Sequence, residues 1–322
     1  MRVAVLTSGG DAPGMNAAIR AVIRTSLSRG WQTFGVKDGY SGLIEGKFFE
    51  MGVRDVGGII ELGGTVLGSS RSAHFKSEEG RQLALKRLSE NMIDAIFIIG
   101  GNGTQKGAYV LSDMGFPVIG IASTIDNDLY GSDIAIGVDT ALNVALESID
   151  RIKVTAASHH RVFAVEVMGR DCGYIALMSG IAGGAEAIII PEIETDIETV
   201  FEIVRNAYQS GKPHAIIVTA EGAKLNAEKM VKLFEQDTRM CGYELRTTVL
   251  GYVQRGASPS AFDRILATRL GAGATSFLAD GKSGVLSALC KNEVEAVPLH
   301  EVVSREKGLD IELFNLAEIL AR

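Results

Sequence analysis

Short runs of β-branched and aliphatic residues alternate along the chain with glycine turns and amphipathic stretches. Residues 2–6 read as a buried strand, 7–14 as a turn, and 15–28 as a helix with Ala18, Val22 and Ile23 at helical spacing. Pro13 sits where the first turn of a helix tolerates it. The pattern returns as a strand over 95–99, a turn over 100–104, a helix from 105 to 114, and a buried run over 117–122 that ends in the polar cluster 123–128. A second set follows from about Val138. It reads as a helix over 139–151, a strand over 161–167, a helix over 172–181, a strand over 186–191, a helix over 197–209 and a strand over 214–220. A helix over 261–278 is placed to return to the first set. This alternation predicts an α/β fold of two doubly wound, Rossmann-like lobes with an interleaved chain, facing each other across a cleft. Their sheets are expected to be parallel, with ligands beyond the carboxyl ends of the strands.

Composition narrows the class. The chain has 322 residues, and 46% hydrophobic content with a mean hydropathy of +0.18 is enough to bury a large core. Thirty-eight glycines scattered among apolar runs mean many tight turns, not a linker. A net charge of −7 argues against a broad nucleic-acid footprint but permits a small anion held by a few arginines. Cys172, Cys241 and Cys290 have neither metal-site nor CxxC spacing, so a reduced, cytoplasmic setting is expected. No apolar run reaches the roughly 18–20 residues of a membrane span, and no membrane partner is expected.

Candidate chemistry gathers at the strand ends. Thr7-Ser8-Gly9-Gly10-Asp11 and Gly100-Gly101-Asn102-Gly103-Thr104 let backbone N–H groups approach phosphate oxygens at helix starts. Neither has Walker A spacing or a dinucleotide GxGxxG, and each alone also reads as an ordinary strand-to-helix turn. Two in one sheet, with Gly63-Gly64-Thr65 ahead of Arg71, favour a nucleotide-phosphate site. In Thr124-Ile125-Asp126-Asn127-Asp128, two carboxylates two residues apart can divide the work of general base and metal ligand. A capped turn is the plainer alternative. Arg161, Arg170, Arg246 and Arg255 lie at the edges of apolar runs, and with Glu221 they fit a sugar-phosphate pocket. Singly, each also reads as a surface or ion-paired arginine. His159-His160 read as a loop, and Met168 also reads as simple packing.

These segments resemble bacterial ATP-dependent 6-phosphofructokinases over nearly the whole length. The matching stretches are LTSGGDAPGMNAAIR from Leu6, GGTVLGSSR ending at Arg71, TIDND from Thr124, EVMGR ending at Arg170, AEG from Ala220, and TVLGYVQRGASP from Thr248. The resemblance implies the phosphofructokinase fold, with residues 1–137 plus 254–304 as the ATP lobe and 138–253 plus 305–322 as the sugar-phosphate lobe. It implies transfer of the γ-phosphoryl of MgATP to fructose 6-phosphate in glycolysis. Asp126 would act as base, with Thr124 and Arg170 stabilising the transferring group. Gly10, Arg71, Asn102, Gly103 and Thr104 would hold the nucleotide. Met168, Glu221, Tyr252 and Arg255 would hold fructose 6-phosphate, joined by Arg161 and Arg246 from a neighbouring subunit of a homotetramer. An effector site for ADP or phosphoenolpyruvate would use Arg20, Arg24, Lys153, Glu186, Lys212 and His214.

Departures accompany the match. Asn102 stands where the family has a carboxylate that helps bind Mg2+, leaving Asp128 as the acidic metal ligand, so low activity is expected. Tyr252 replaces a histidine. Ser123 replaces a glycine at a position where pyrophosphate-using relatives carry lysine, which favours ATP and slightly crowds the site. Leu62, Ser210 and Val53 depart from the effector pattern. The alternative reading is a non-catalytic or weakly catalytic paralogue that binds sugar phosphate or nucleotide as a regulatory or assembly partner.

Overall fold

A computed structural model describes residues 1–240 and 244–320; Cys241 lies outside them. In chain order the elements begin β1 (Arg2–Thr7), α1 (Met15–Ser28), β2 (Gln32–Val36), α2 (Gly39–Glu45), β3 (Phe48–Glu50), α3 (Glu78–Glu90), β4 (Ala95–Gly100), α4 (Asn102–Asp113), β5 (Val118–Ala122) and α5 (Val138–His159). They continue with β6 (Val162–Val167), α6 (Tyr174–Ala182), β7 (Ala187–Ile189), α7 (Ile197–Gln209), β8 (Ala215–Ala220), α8 (Ala227–Gln236), β9 (Leu245–Val249) and α9 (Val253–Gly256). Last come α10 (Ala261–Ala279), β10 (Val285–Cys290), β11 (Glu293–Pro298), α11 (Leu299–Ser304) and α12 (Ile311–Leu320). The chain forms two compact units, Met1–Thr140 with Arg255–Lys307, and Ala141–Gln254 with Gly308–Arg322.

The first unit holds a seven-stranded sheet in the order β11-β10-β5-β4-β1-β2-β3. Its centre is parallel, as the rhythm predicts, and β1, β4 and β5 are apolar on both faces because helices cover both. Its edges correct the parallel expectation: β3 runs antiparallel to β2 and β11 antiparallel to β10. These edge strands are half-exposed and carry no continuous apolar run to announce them. Helix α1 crosses α10 closely, since a Cβ on Gly271 would stand 2.8 Å from the Ala18 carbonyl oxygen. Glycine there lets the two backbones meet, and the Thr25 hydroxyl donates to Thr275 Oγ1 across the contact at 2.8 Å.

The second unit holds a four-stranded parallel sheet, β7-β8-β6-β9. One core cluster joins Val162, Ala164 and Ile217 to Phe201 and Val204 of α7 and Met230 and Phe234 of α8. The Phe201 and Phe234 rings meet edge-on at 4.9 Å. Each such fully buried aliphatic or aromatic side chain contributes about 1.5–3 kcal/mol by leaving water.

Three local expectations change. Helix α4 starts at Asn102, not at residue 105, because the Thr104 and Gln105 N–H groups both bond the Gly101 carbonyl at 3.0 Å. Helix α5 continues past Arg151 for 22 residues in all and stops only where His160 adopts a left-handed φ of 53°. Pro13 precedes α1 altogether, because Gly14 (φ 102°) occupies the capping position.

Candidate active site

In the first sheet β1 and β4 are neighbours, and the chain leaves β1 towards β2 but leaves β4 towards β5. The connections therefore part above this pair, where open α/β sheets bind ligands. Two predicted glycine loops sit there. A Cβ on Gly10 would lie 2.3 Å from Nη1 of Arg255, so the missing side chain admits that guanidinium, which donates to the Asp11 carbonyl at 2.8 Å. Arg255 thus rests on the β1–α1 loop from the short helix α9, not from the edge of a strand.

Across this loop the Thr104 hydroxyl donates to the Ser8 carbonyl at 2.9 Å, and the Tyr40 hydroxyl donates to the Thr104 carbonyl at 2.7 Å. Burial pushes the Tyr40 hydroxyl well above its ordinary value, so it remains a neutral donor. Buried Gln105 sends its amide to the carbonyls of Ile98, Gly100 and Ile121, tying the ends of β4 and β5. Asn102, Gly103 and Thr104 form the first turn of α4; the Thr104 N–H is taken by the Gly101 carbonyl, and the helix dipole at this end favours an anion. Arg71 is exposed at the end of the segment that begins with Gly63.

The turn after β5 is held on several sides. The Thr124 N–H donates to the Ile136 carbonyl at 3.1 Å, and the Asp126 N–H donates to Thr124 Oγ1 at 3.2 Å. Asn127, at φ 51°, donates to the Asp133 carbonyl at 3.2 Å and accepts from the Ala135 N–H at 3.1 Å. Both carboxyl-bearing residues that flank it, Asp126 and Asp128, keep partial exposure. The Asn102 amide donates to the Asp128 carbonyl at 3.2 Å, joining α4 to this turn. Ser123, ahead of this turn, is buried, and its hydroxyl donates to the Ile136 carbonyl at 3.3 Å.

In the second unit the predicted residues divide between the two ends of one sheet. Beyond the carboxyl end of β6 come buried Met168, then Gly169 and Arg170. Arg170 holds a left-handed φ of 49°, and its N–H donates to Glu221 Oε1 at 3.0 Å. Gly222 must lack a side chain, because its Cβ would fall 1.6 Å from the Arg170 carbonyl oxygen. Tyr252 follows β9 at 81% exposure. At the other end, Arg161 precedes β6, and Arg246 pairs in register with Phe163. Glu244 bridges the two guanidinium groups, and its hydrogen bond with Arg161 first, then charge, holds its carboxyl below the usual range. Six residues of β6 separate Arg161 from Met168, about 20 Å of extended chain. Within this sheet Arg161 and Arg246 therefore stand at the amino end, and Arg170 with Glu221 and Met168 at the carboxyl end.

Comparison with known proteins adds to this geometry. The family pattern described as Phosphofructokinase matches residues 2–278. The chain is 49% identical over 322 residues to ATP-dependent 6-phosphofructokinase 1 of Thermus thermophilus, covering 99% of each chain. The chain belongs to the phosphofructokinase family. It is also 48% identical over 321 residues to the ATP-dependent 6-phosphofructokinase of Thermotoga neapolitana, again covering 99% of each. Among solved structures, phosphofructokinase from Saccharomyces cerevisiae superposes with a TM-score of 0.86 at 35% identity. That match covers 99% of this chain and 48% of the longer yeast chain.

The residues predicted for a family effector site are placed as follows. Arg20 and Arg24 lie on α1, and Lys153 lies on α5. Glu186, only 9% exposed, accepts from the Ile216 N–H at 2.7 Å and from Lys212 at 3.2 Å. His214 directly precedes β8. A cavity of about 560 Å³ opens beside Glu186 and Lys212, lined also by Thr199, Glu202, Asn206 and Phe314.

Sequence reasoning missed four residues that shape the first unit's site: Asn16, Tyr40, Gln105 and Asp263. Buried Asp263 accepts from the N–H groups of Gly137 at 2.9 Å and Thr140 at 2.8 Å, and from the Thr140 hydroxyl at 2.5 Å. A signal existed for it, since Ser260 and Asp263 have capping-box spacing at the start of α10. That spacing locates a helix start but not the second helix start, that of α5, which Asp263 serves. Among the described residues no three acidic, histidine or cysteine side chains form a metal-holding cluster, and no helix is long and apolar enough to cross a membrane.

Proposed function

We propose that this chain is an ATP-dependent 6-phosphofructokinase, which transfers the γ-phosphoryl of MgATP to the 1-hydroxyl of fructose 6-phosphate, giving fructose 1,6-bisphosphate and ADP in glycolysis. The observation that carries the reading is the rigid turn from Thr124 to Asp128, set beyond β5 in a chain that matches such kinases end to end. Asp126 takes the proton of the 1-hydroxyl as its oxygen bonds the γ-phosphorus and the bond to the β-phosphate oxygen breaks. Thr124 and Arg170 stabilise the charge on the transferring group.

Gly10, Arg71 and the first turn of α4 at Asn102, Gly103 and Thr104 hold the nucleotide phosphates. Met168, Glu221, Tyr252 and Arg255 hold the sugar phosphate. Arg161 and Arg246, at the far end of β6 and β9, serve a neighbouring subunit of a homotetramer, which is why their distance from Met168 is no obstacle. The donor set fits magnesium: the Asp128 carboxylate and the Asn102 amide oxygen are hard oxygen donors of the kind that share the ion with phosphates and water. Asp128 and Asn102 would hold such an ion, which would supply neutralisation of the phosphate charge during transfer. Arg20, Arg24, Lys153, Glu186, Lys212 and His214 are assigned to an ADP or phosphoenolpyruvate effector site, and the compartment is cytoplasmic.

A second reading, a binding-only paralogue, is favoured by one observation: the Asn102 amide already bonds the Asp128 carbonyl where the family has a carboxylate. A steady-state assay varying ATP, pyrophosphate and fructose 6-phosphate separates the two. Saturable turnover with ATP and not with pyrophosphate is expected. Calorimetric binding of both ligands with no turnover would replace the kinase by the binding-only protein.

A further inference from the structure

We infer that Asn16 is a positioning residue for the nucleotide, acting through the segment 62–71 and its terminal Arg71. The inference rests on reading Arg71 as a nucleotide ligand. Asn16 is the second residue of α1 and is fully buried. Both ends of its amide are used. Nδ2 donates to the Leu62 carbonyl at 3.1 Å and to the Gly63 carbonyl at 3.2 Å, while Oδ1 accepts from the Val66 N–H at 2.8 Å.

Nothing in helix α1 itself calls for an asparagine. Its neighbours Met15, Ala17, Ala18 and Ile19 are buried and apolar, and asparagine is an indifferent helix former. An amide placed in such surroundings is costly unless every polar atom is bonded, and only an amide offers donors and an acceptor in one plane. Its partners all lie on a segment without regular secondary structure, whose backbone groups would otherwise lack partners. The segment is also fastened to the end of β1 and to the loop that follows it. The Thr7 and Thr65 hydroxyls share a hydrogen bond at 2.8 Å, and Thr7 also donates to the Gly68 carbonyl at 2.9 Å. The Ser69 hydroxyl donates to the Gly9 carbonyl at 2.6 Å, two residues before Arg71. Gly63 is held so closely that a Cβ there would lie 2.6 Å from the Ala257 carbonyl oxygen. The start of α1, which closes the phosphate loop, thus also sets the course of the segment that carries Arg71. Loop and arginine are referenced to one rigid element.

The test is a thermodynamic cycle of Asn16→Ser, Arg71→Ala and the double variant in the full chain, with ATP and fructose 6-phosphate affinities measured by calorimetry and folding by thermal melting. Losing one well-placed charge-assisted contact to a phosphate costs on the order of 10–100-fold in affinity, so Asn16→Ser should weaken ATP binding by about that factor. Fructose 6-phosphate affinity should stay within about twofold, and the double variant should bind ATP no worse than Arg71→Ala alone. Thr65→Val, which removes the second fastening without disturbing a buried amide, should give the same selective loss at smaller size, and it carries the test if Asn16→Ser does not fold. An equal loss for both ligands, multiplying effects in the double variant, or unchanged ATP affinity in a folded Asn16→Ser protein would each overturn the inference. If Arg71→Ala leaves ATP affinity unchanged, the nucleotide assignment of Arg71 falls first and this inference falls with it.

Discussion

Replacing Asn102 by aspartate tests the metal argument at its centre. Asn102 is the first residue of α4, whose first turn contains no acidic residue, and its amide donates to the Asp128 carbonyl at 3.2 Å. The substitution removes that hydrogen bond, worth about 0.5–1.5 kcal/mol. It places a negative charge at a helix N-terminus, worth about 0.3–1 kcal/mol in the other direction. These nearly cancel, so the thermal midpoint without ligand should move by only a few degrees. Function should respond far more. A carboxylate beside Asp128 restores a hard anionic donor where an amide oxygen stands, and one such preorganised element is typically worth on the order of 10²–10³ in rate. The assay is turnover at saturating MgATP and fructose 6-phosphate across a magnesium titration, for the parent chain, Asn102→Asp, and Asn102→Asp with Tyr252→His. Turnover should rise at least about tenfold in Asn102→Asp, with half-saturation at lower magnesium. A parent chain whose turnover already equals that of its Thermus relative would refute the reasoning about Asn102. Three inert proteins that still bind both ligands would end the kinase reading.

The remaining predictions concern the arginines and the buried carboxylate. Gly10→Ala meets no φ restriction but intrudes on the Arg255 guanidinium, the far end of a flexible side chain. Fructose 6-phosphate affinity should therefore fall towards that of Arg255→Ala, several-fold or more, while melting changes little; unchanged affinity would separate Arg255 from the substrate. Arg161→Ala and Asp126→Asn chains, each inactive alone, should recover part of the activity when unfolded and refolded together, because a mixed assembly contains intact sites. No recovery, or a monomer in sedimentation with undiminished affinity, would remove the shared site. Asp263→Ala should lower stability by about 3 kcal/mol in denaturant titrations, since it leaves the Gly137 and Thr140 donors buried without an acceptor. Burial, first, pushes the Asp263 carboxyl up despite those hydrogen bonds. Its contribution is therefore fully present below the unfolded value of about 3.9 and is lost as pH rises through the higher folded value. The stability of the parent relative to Asp263→Asn should accordingly grow as pH is lowered from 7 towards 4; a constant difference would contradict the raised carboxyl.

Helix α7 illustrates what the chain determines locally. Its apolar positions Val200, Phe201, Val204 and Ala207 repeat at helical spacing, and Asp196 caps it by accepting from the Thr199 N–H at 2.7 Å, so both ends are legible in the sequence. The same holds for α1 and for the β1, β4 and β5 cores, because a face buried along its whole length leaves a periodic trace. The glycine loops, the Thr124–Asp128 turn and the scattered arginines were visible too, as unusual residue types at strand ends. Tertiary structure decided what those residues touch. It seated Arg255 on Gly10, drew the Asn102 amide to the Asp128 carbonyl, and set Arg161 and Arg246 at the end of the sheet away from Arg170. It also decided the antiparallel edge strands and the tasks of Asn16 and Asp263. The physical reason is one of range. Periodicity reports burial, which neighbouring residues share, whereas a buried amide or carboxylate is satisfied by backbone groups dozens of positions away, 46 to 50 for Asn16 and 123 to 126 for Asp263, that no local pattern encodes.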